Sequence, residues 1–219
     1  MLKTEELFDL SHTAAKDLFI SAEEPYSALK MIKEGIEKIA KNGEYSEFLP
    51  GVFVAEGVKI AETATVLGPT LIGKNTEIRP GAYIRGSAII GEECVIGNST
   101  EIKNAIIFDG VQIPHYNYVG DSILGYKSHM GAGAIASNFR LDHANIVIKD
   151  GDRKIETGLR KLGVLLGDFA EVGCGSVLSP GTVIGRKTIV YPLSHVVGVV
   201  AGGQIFKDGR VKPRIDERD

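Results

Sequence analysis

Three cations and one histidine carry most of the chemistry this sequence could perform. Arg79, Arg85 and Lys103 each follow an aliphatic residue directly, at a position that elsewhere is usually Gly or Ala. Cations brought close together repel unless an anion sits between or beside them, and a small phosphate suits such a group. The alternative is that each extends separately into solvent. His115 stands in Ile113-Pro114-His115-Tyr116-Asn117-Tyr118-Val119-Gly120-Asp121, with Tyr118 three residues later. Only histidine titrates near neutrality when unperturbed, which fits a general base. A purely structural histidine is the competing reading.

What must position these groups is a repeat of six. Val54, Ile60, Val66, Ile72, Ile78, Ile84, Ile90, Ile96 and Ile102 are evenly spaced, with Phe108 as a further member. A second series follows four residues behind each: Val58, Ala64, Thr70, Thr76, Ala82, Ala88, Cys94 and Thr100. The pattern returns with Leu166, Val172, Leu178, Ile184 and Val190. A helix needs apolar positions every 3.6 residues and a lone strand every 2, so neither explains a strict six. Hexapeptide periodicity marks a parallel β-helix, whose repeats bury their apolar face only by stacking. The expected class is all-β. The register drops by one after Phe108, where the next aliphatic is Ile113, and again after Val119, where it is Leu124.

Residues 1–49 lack the repeat and read as a helical segment, leaving 50–219 as the β-helix domain. Ser21-Ala22-Glu23-Glu24-Pro25 reads as a capping box with proline in the first turn. Leu29, Ile32, Ile36 and Ile39 then form a stripe at helical spacing, with Gly43 as terminator. These helices are expected to cover an end of the prism, where strand edges would otherwise be unpaired. Residues 137–163 interrupt the repeats with a protruding loop, and 146–155 read as a hairpin with an Asp-Gly turn. A second hairpin of this kind spans about 203–213.

Net charge of −3 and a pI near 6.0 give no electrostatic case for nucleic acid or an anionic membrane. No window reaches 18 apolar residues and the start of the chain is acidic, so neither a membrane span nor a signal peptide is expected, and the cytoplasm is the default. Two cysteines are too few for a disulfide framework. Cys94 occupies a small inward position, and Cys174 should lie on a flank.

The run from Arg79 to Gly133 resembles the acetyltransferase domain of the bifunctional enzymes that acetylate glucosamine-1-phosphate and make UDP-N-acetylglucosamine. Arg79-Pro80-Gly81-Ala82, Glu101-Ile102-Lys103, the stretch from His115 to Asp121 and Met130-Gly131-Ala132-Gly133 carry that likeness, followed by Asn138. Asn138-Phe139-Arg140-Leu141-Asp142 and Thr157-Gly158-Leu159-Arg160-Lys161-Leu162-Gly163 are similar to the archaeal-type sugar-1-phosphate nucleotidyltransferase/acetyltransferases. The resemblance implies a left-handed parallel β-helix in which three hexapeptides make a coil and residues 18 apart stack. It implies Arg79 and Lys103 on a sugar phosphate, His115 as base, and substrate contacts from Tyr118, His129 and Asn138. Backbone N–H groups of the Met130–Gly133 run would steady an oxyanion. Acetyl-CoA would lie against Ala132, Cys174 and Pro192, in the groove between two prisms of a homotrimer.

His129 and Phe139 depart from the bacterial pattern, and no Gly-rich nucleotidyltransferase signature is present, so uridylyl transfer is not expected. Two rivals remain. One is a metalloenzyme of γ-class carbonic anhydrase type, but His115, His129 and His143 are spaced 14 and 14 rather than near 18, and no metal site is expected. The other is a non-catalytic trimeric scaffold or regulatory relative.

Overall fold

The computed structural model describes residues 3–42 and 44–214, and Gly43, expected to end the helix, lies outside them. From Val52 onward the chain winds as a parallel β-helix of short strands on three faces. On the first face Ile72 pairs with Ile90, Ile90 with Ile107 and Ile107 with Leu124. On the second, Ile78 pairs with Ile96, Ile96 with Ile113, and Met130 with Val172. On the third, Val66, Ile84, Ile102, Val119, Ala136 and Leu178 form one continuous ladder. These are the inward residues of the repeat of six, and nearly all are fully buried.

Phe108 is not one of them. The inward residue is Ile107, so the first shortening falls between Ile102 and Ile107, ahead of Phe108. The second falls between Val119 and Leu124. At each, a single residue turns the corner from the third face to the first: Asn104 at φ 49 and Asp121 at φ 49. Phe108 takes a position that is glycine on neighbouring coils (Gly73, Gly91, Gly125), where the backbones approach closely. A Cβ on Gly91 would lie 2.7 Å from the Phe108 carbonyl carbon, which is why that position stays bare beneath it.

The helices do not cap an end of the prism. They lie along the first face, whose outward residues Leu71, Ile89, Ile106, Ile123, Leu165 and Val183 are as buried as its inward ones. The strands there read as unbroken apolar runs, as expected of strands covered on both sides. Phe8 and Phe19 meet Phe108 at centroid distances of 5.2 and 5.5 Å. Leu7, Leu29, Ile32 and Ile36 complete the layer, each apolar side chain contributing about 1.5–3 kcal/mol when fully buried.

The capping box does not form. Ser21 Oγ donates to the Asp17 carbonyl, Glu24 precedes a 3₁₀ stretch Pro25–Met31, and the α-helix runs Ile32–Ala40. Asp168 pins the layer to the solenoid: its carboxylate accepts from the Asp9 and Tyr126 amides at 2.8 and 2.9 Å and from Arg186 Nη2 at 2.7 Å. The expelled segment carries the antiparallel pair Val147–Asp150 and Arg153–Glu156, and Ile146 and Ile148 are buried against the first face near Gly181. Gln204–Lys207 and Arg210–Pro213 form the final hairpin.

Candidate active site

The chemistry-bearing residues flank the outer wall of the third face, on its two edges. That wall presents Tyr83, Glu101, Tyr118, Ile135, Val177 and His195, each one residue before an inward position. One edge, where the second face turns into the third, carries Arg79, His115, Ala132, Cys174 and Pro192. The other, where the third face turns into the first, carries Arg85, Lys103, Asp121 and Asn138.

Arg79 and Lys103, expected together on one sugar phosphate with His115 as base, therefore fall on different edges of the wall, with His115 on the edge of Arg79. Arg79 follows a second-face strand and Lys103 a third-face strand, so the wall's width separates them. Arg79 Nε pairs with Glu77 Oε1 at 3.3 Å. The cation that stacks with Lys103 is Arg85, as their spacing of 18 requires. Their expected repulsion is relieved by carboxylates instead of a bound anion: Arg85 Nη1 lies 2.7 Å from Glu101 Oε1, and Lys103 Nζ lies 3.3 Å from Asp121 Oδ2.

Around Asp121 the polar groups knit tightly. Its buried carboxylate also accepts from Asn104 Nδ2 at 2.8 Å and Asn138 Nδ2 at 2.5 Å. Asn138 Nδ2 further donates to the Tyr118 hydroxyl at 3.1 Å, so Lys103, Tyr118 and Asn138 do come together. Burial pushes the Tyr118 phenol above its ordinary pKa, partly offset by that hydrogen bond. Sequence reasoning gave Asp121 no role of its own. The available signal was its place: it stands two residues past an inward aliphatic, where the longer corner uses Gly86, at a turn that has lost one residue.

His115 is held by its backbone. Its N–H donates to Asn117 Oδ1 at 3.1 Å and its carbonyl accepts from Gly133 N at 3.0 Å. Asn117 is buried and donates to the Gly131 and Ala134 carbonyls, locking the corner. Gly97, one coil before, makes room: a Cβ there would fall 1.6 Å from the Pro114 carbonyl oxygen. The imidazole itself stands exposed at the edge.

From His115 the edge continues through Ala132, whose carbonyl accepts from Gly175 N at 2.8 Å, to Cys174, whose carbonyl accepts from Leu193 N at 2.9 Å, beside Pro192. The three expected acetyl-CoA contacts therefore form one column in line with His115. The oxyanion expectation narrows. Gly131 N–H donates to the Val172 carbonyl and Gly133 N–H to that of His115, so neither is available for a substrate oxygen.

His129 lies apart from this group, on the second face, with Nδ1 2.9 Å from Glu171 Oε2. His143 sits in the expelled loop against Phe139 at 5.1 Å between ring centroids, so the three histidines occupy three separate regions. The two cysteines differ sharply. Cys94 is buried, its Sγ is 3.1 Å from the Phe108 carbonyl oxygen, and burial pushes its thiol up to about 12. Cys174 is exposed. An aromatic disulfide reagent is expected to titrate one thiol per native chain at pH 8 and two after denaturation. Two reactive thiols in the native protein would contradict this placement.

Residues 50–153 match the family model described as the EIF2B subunit epsilon LbH domain. The fold is thus that of the left-handed β-helix built on hexapeptide repeats. Within that class, the chain is related in sequence to bifunctional sugar-1-phosphate nucleotidylyltransferase/acetyltransferases. One such protein from Sulfurisphaera tokodaii is 35% identical over 128 residues, covering 58% of this chain and 32% of the relative. The bifunctional protein GlmU of Methanococcus vannielii is 34% identical over 160 residues, covering 73% of this chain and 38% of the relative. The chain therefore spans about a third of the length of these relatives. Among solved structures, the acetyltransferase domain of PglB from Neisseria gonorrhoeae, in complex with acetyl coenzyme A, aligns with a TM-score of 0.39 and 14% identity over 84% of this chain and 66% of that one. No described helix is long and apolar enough to cross a membrane.

Proposed function

We propose that this chain is a cytoplasmic N-acetyltransferase, moving acetyl from acetyl-CoA to the amine of a hexosamine-1-phosphate, glucosamine-1-phosphate first among them, in the synthesis of amino-sugar nucleotides. The observation that carries the reading is the arrangement around one wall. His115 leads a column of Ala132, Cys174 and Pro192 on one edge, and Lys103, Tyr118 and Asn138 gather on the other. The names of the sequence relatives point to the same chemistry.

In this reading Lys103 and Arg85, rather than Arg79, exchange their carboxylate partners for the sugar phosphate and fix the acceptor's orientation. His115 takes the proton as the amine attacks the thioester carbonyl. The N–C bond forms, the C–S bond breaks, and CoA leaves as thiolate, which takes up a proton to give the free thiol. The wall exposes Tyr83 and Val177, with Leu67, Leu193 and Val197 on its edges, and in a homotrimer a neighbour's prism would close this surface into a cleft.

The experiment mixes purified protein with acetyl-CoA and glucosamine-1-phosphate and measures free thiol. Release is expected. No release with any hexosamine-1-phosphate, from protein shown to be folded, overturns the reading. Acetyl-CoA is also expected to slow the modification of Cys174, a check on the column that needs no acceptor.

A second reading, a non-catalytic trimeric scaffold, is favoured by one observation: Arg85 and Lys103 are already neutralised by Glu101 and Asp121. It predicts no rise in Tm with acetyl-CoA, whereas a CoA-binding enzyme is stabilised by ligand.

A further inference from the structure

The helical layer does more than cover the first face. Where its 3₁₀ stretch Pro25–Met31 passes into the α-helix Ile32–Ala40, it meets the shortened corners, and a hollow of about 210 Å³ opens between them. Tyr26, Leu29 and Leu159 give it an apolar side, and Asn104 and Asp121 line it from the solenoid. Lys30 and Lys33 reach it from the helical layer and Lys161 from the expelled loop. Two segments remote in sequence thus deliver three lysines to one small depression.

Among the described residues, no carboxylate pairs with any of Lys30, Lys33 and Lys161, and the Lys161 ammonium has the Phe139 ring, at 5.9 Å from its centroid, as a neighbour. The one carboxylate lining the hollow, Asp121, is already engaged by Lys103 Nζ, Asn104 Nδ2 and Asn138 Nδ2. Like charges at i and i+3 on one helix face repel, and a third cation brought against them raises the cost. The chain as a whole carries a net charge of −3, so this local excess of cations runs against its overall balance. The hollow is smaller than the roughly 300–1,000 Å³ typical of whole-ligand pockets, so it suits a compact group. A tetrahedral dianion can accept from three ammonium groups arriving from different directions, which a planar monoanionic carboxylate does less well.

We propose that this hollow is a phosphoryl-binding site formed by Lys30, Lys33 and Lys161, separated from Lys103 by the Asp121 carboxylate. The site stands independently of the acetyl-transfer reading. The phosphoryl group could belong to an amino-sugar phosphate or to free phosphate, and the test separates these sources.

Calorimetric titration at low ionic strength is run with inorganic phosphate and, separately, with glucosamine-1-phosphate. Wild type is compared with Lys30→Gln/Lys33→Gln, with Lys161→Gln, and with Lys38→Gln as a control on the same helix. All four side chains are exposed, so folding should be preserved, and Tm checks it. Saturable binding of at least one of the two ligands is expected in wild type and Lys38→Gln. It should weaken about tenfold in Lys161→Gln and further in the double variant, and fade as salt rises. Loss of glucosamine-1-phosphate binding with a raised KM for thiol release assigns the site to the acceptor. Loss of inorganic phosphate binding with thiol release unchanged, or absent in wild type too, assigns it to a separate phosphate. Saturable binding equal in wild type and the double variant overturns the proposal, and so does the absence of saturable binding of either ligand to wild type.

Discussion

Replacing His115 by alanine is expected to lower the rate of thiol release by about 10²–10⁴-fold, the usual contribution of a positioned general base, with Tm unchanged. The two halves of this expectation rest on different observations. The rate should fall because His115 stands at the head of the column formed by Ala132, Cys174 and Pro192, on an edge of the wall that carries Tyr118. Stability should hold because the corner is fixed by other groups, namely the buried Asn117 and the Gly133 N–H on the His115 carbonyl. None of these is removed by truncating an exposed imidazole. His129→Ala is the informative companion. His129 has the better-oriented ring, with Glu171 2.9 Å from Nδ1, yet it stands on the second face. If His129→Ala loses the rate and His115→Ala keeps it, the base is His129 and the edge column is not the site of reaction.

The winding was legible because its signal is redundant. A period of six fits no helix or lone strand, and each inward aliphatic confirms its neighbours. The outer cover of the first face was also written in the chain, though less plainly. Leu71, Ile89, Ile106, Ile123, Leu165 and Val183 each precede an inward aliphatic and recur once per coil, which only a doubly buried strand needs. That series, rather than the helices' own stripe, says where they dock.

The first shortening could not be placed by apolarity alone, because Ile106, Ile107 and Phe108 are all candidates for the inward position. The division of the site between two edges was within reach of arithmetic. Arg79 and Lys103 are 24 apart, one coil plus one face, and so cannot stack, whereas Arg85 and Lys103 are 18 apart and do. Motif likeness drew Arg79 toward the phosphate, whereas the count of positions sets Arg85 beside Lys103. The lysine hollow was not readable, since Lys30, Lys33 and Lys161 are related only through the docking of the helices and the return of the loop.

Phe108→Ala tests that docking most directly. Phe108 is fully buried, and its ring contacts Phe8 and Phe19, which themselves meet at 5.8 Å. Truncating a buried phenylalanine costs about 3–5 kcal/mol, part lost transfer energy and part the cavity left behind. Had Phe108 pointed into the prism, the damage would fall on the coil stack. Because it points outward, the loss should fall on the helical layer, so the variant should show both a lower urea midpoint and faster proteolysis within residues 3–42. Phe169→Ala serves as the comparison. Phe169 is 41% exposed, and its ring meets Tyr126 edge-on at 5.3 Å, so its loss should cost less than about 1 kcal/mol. If Phe108→Ala costs no more than Phe169→Ala, the aromatic cluster does not hold the layer. The bonds that Asp9 N–H donates to the Asp168 carboxylate and Asp168 N–H donates to the Leu7 carbonyl would then be its true anchor.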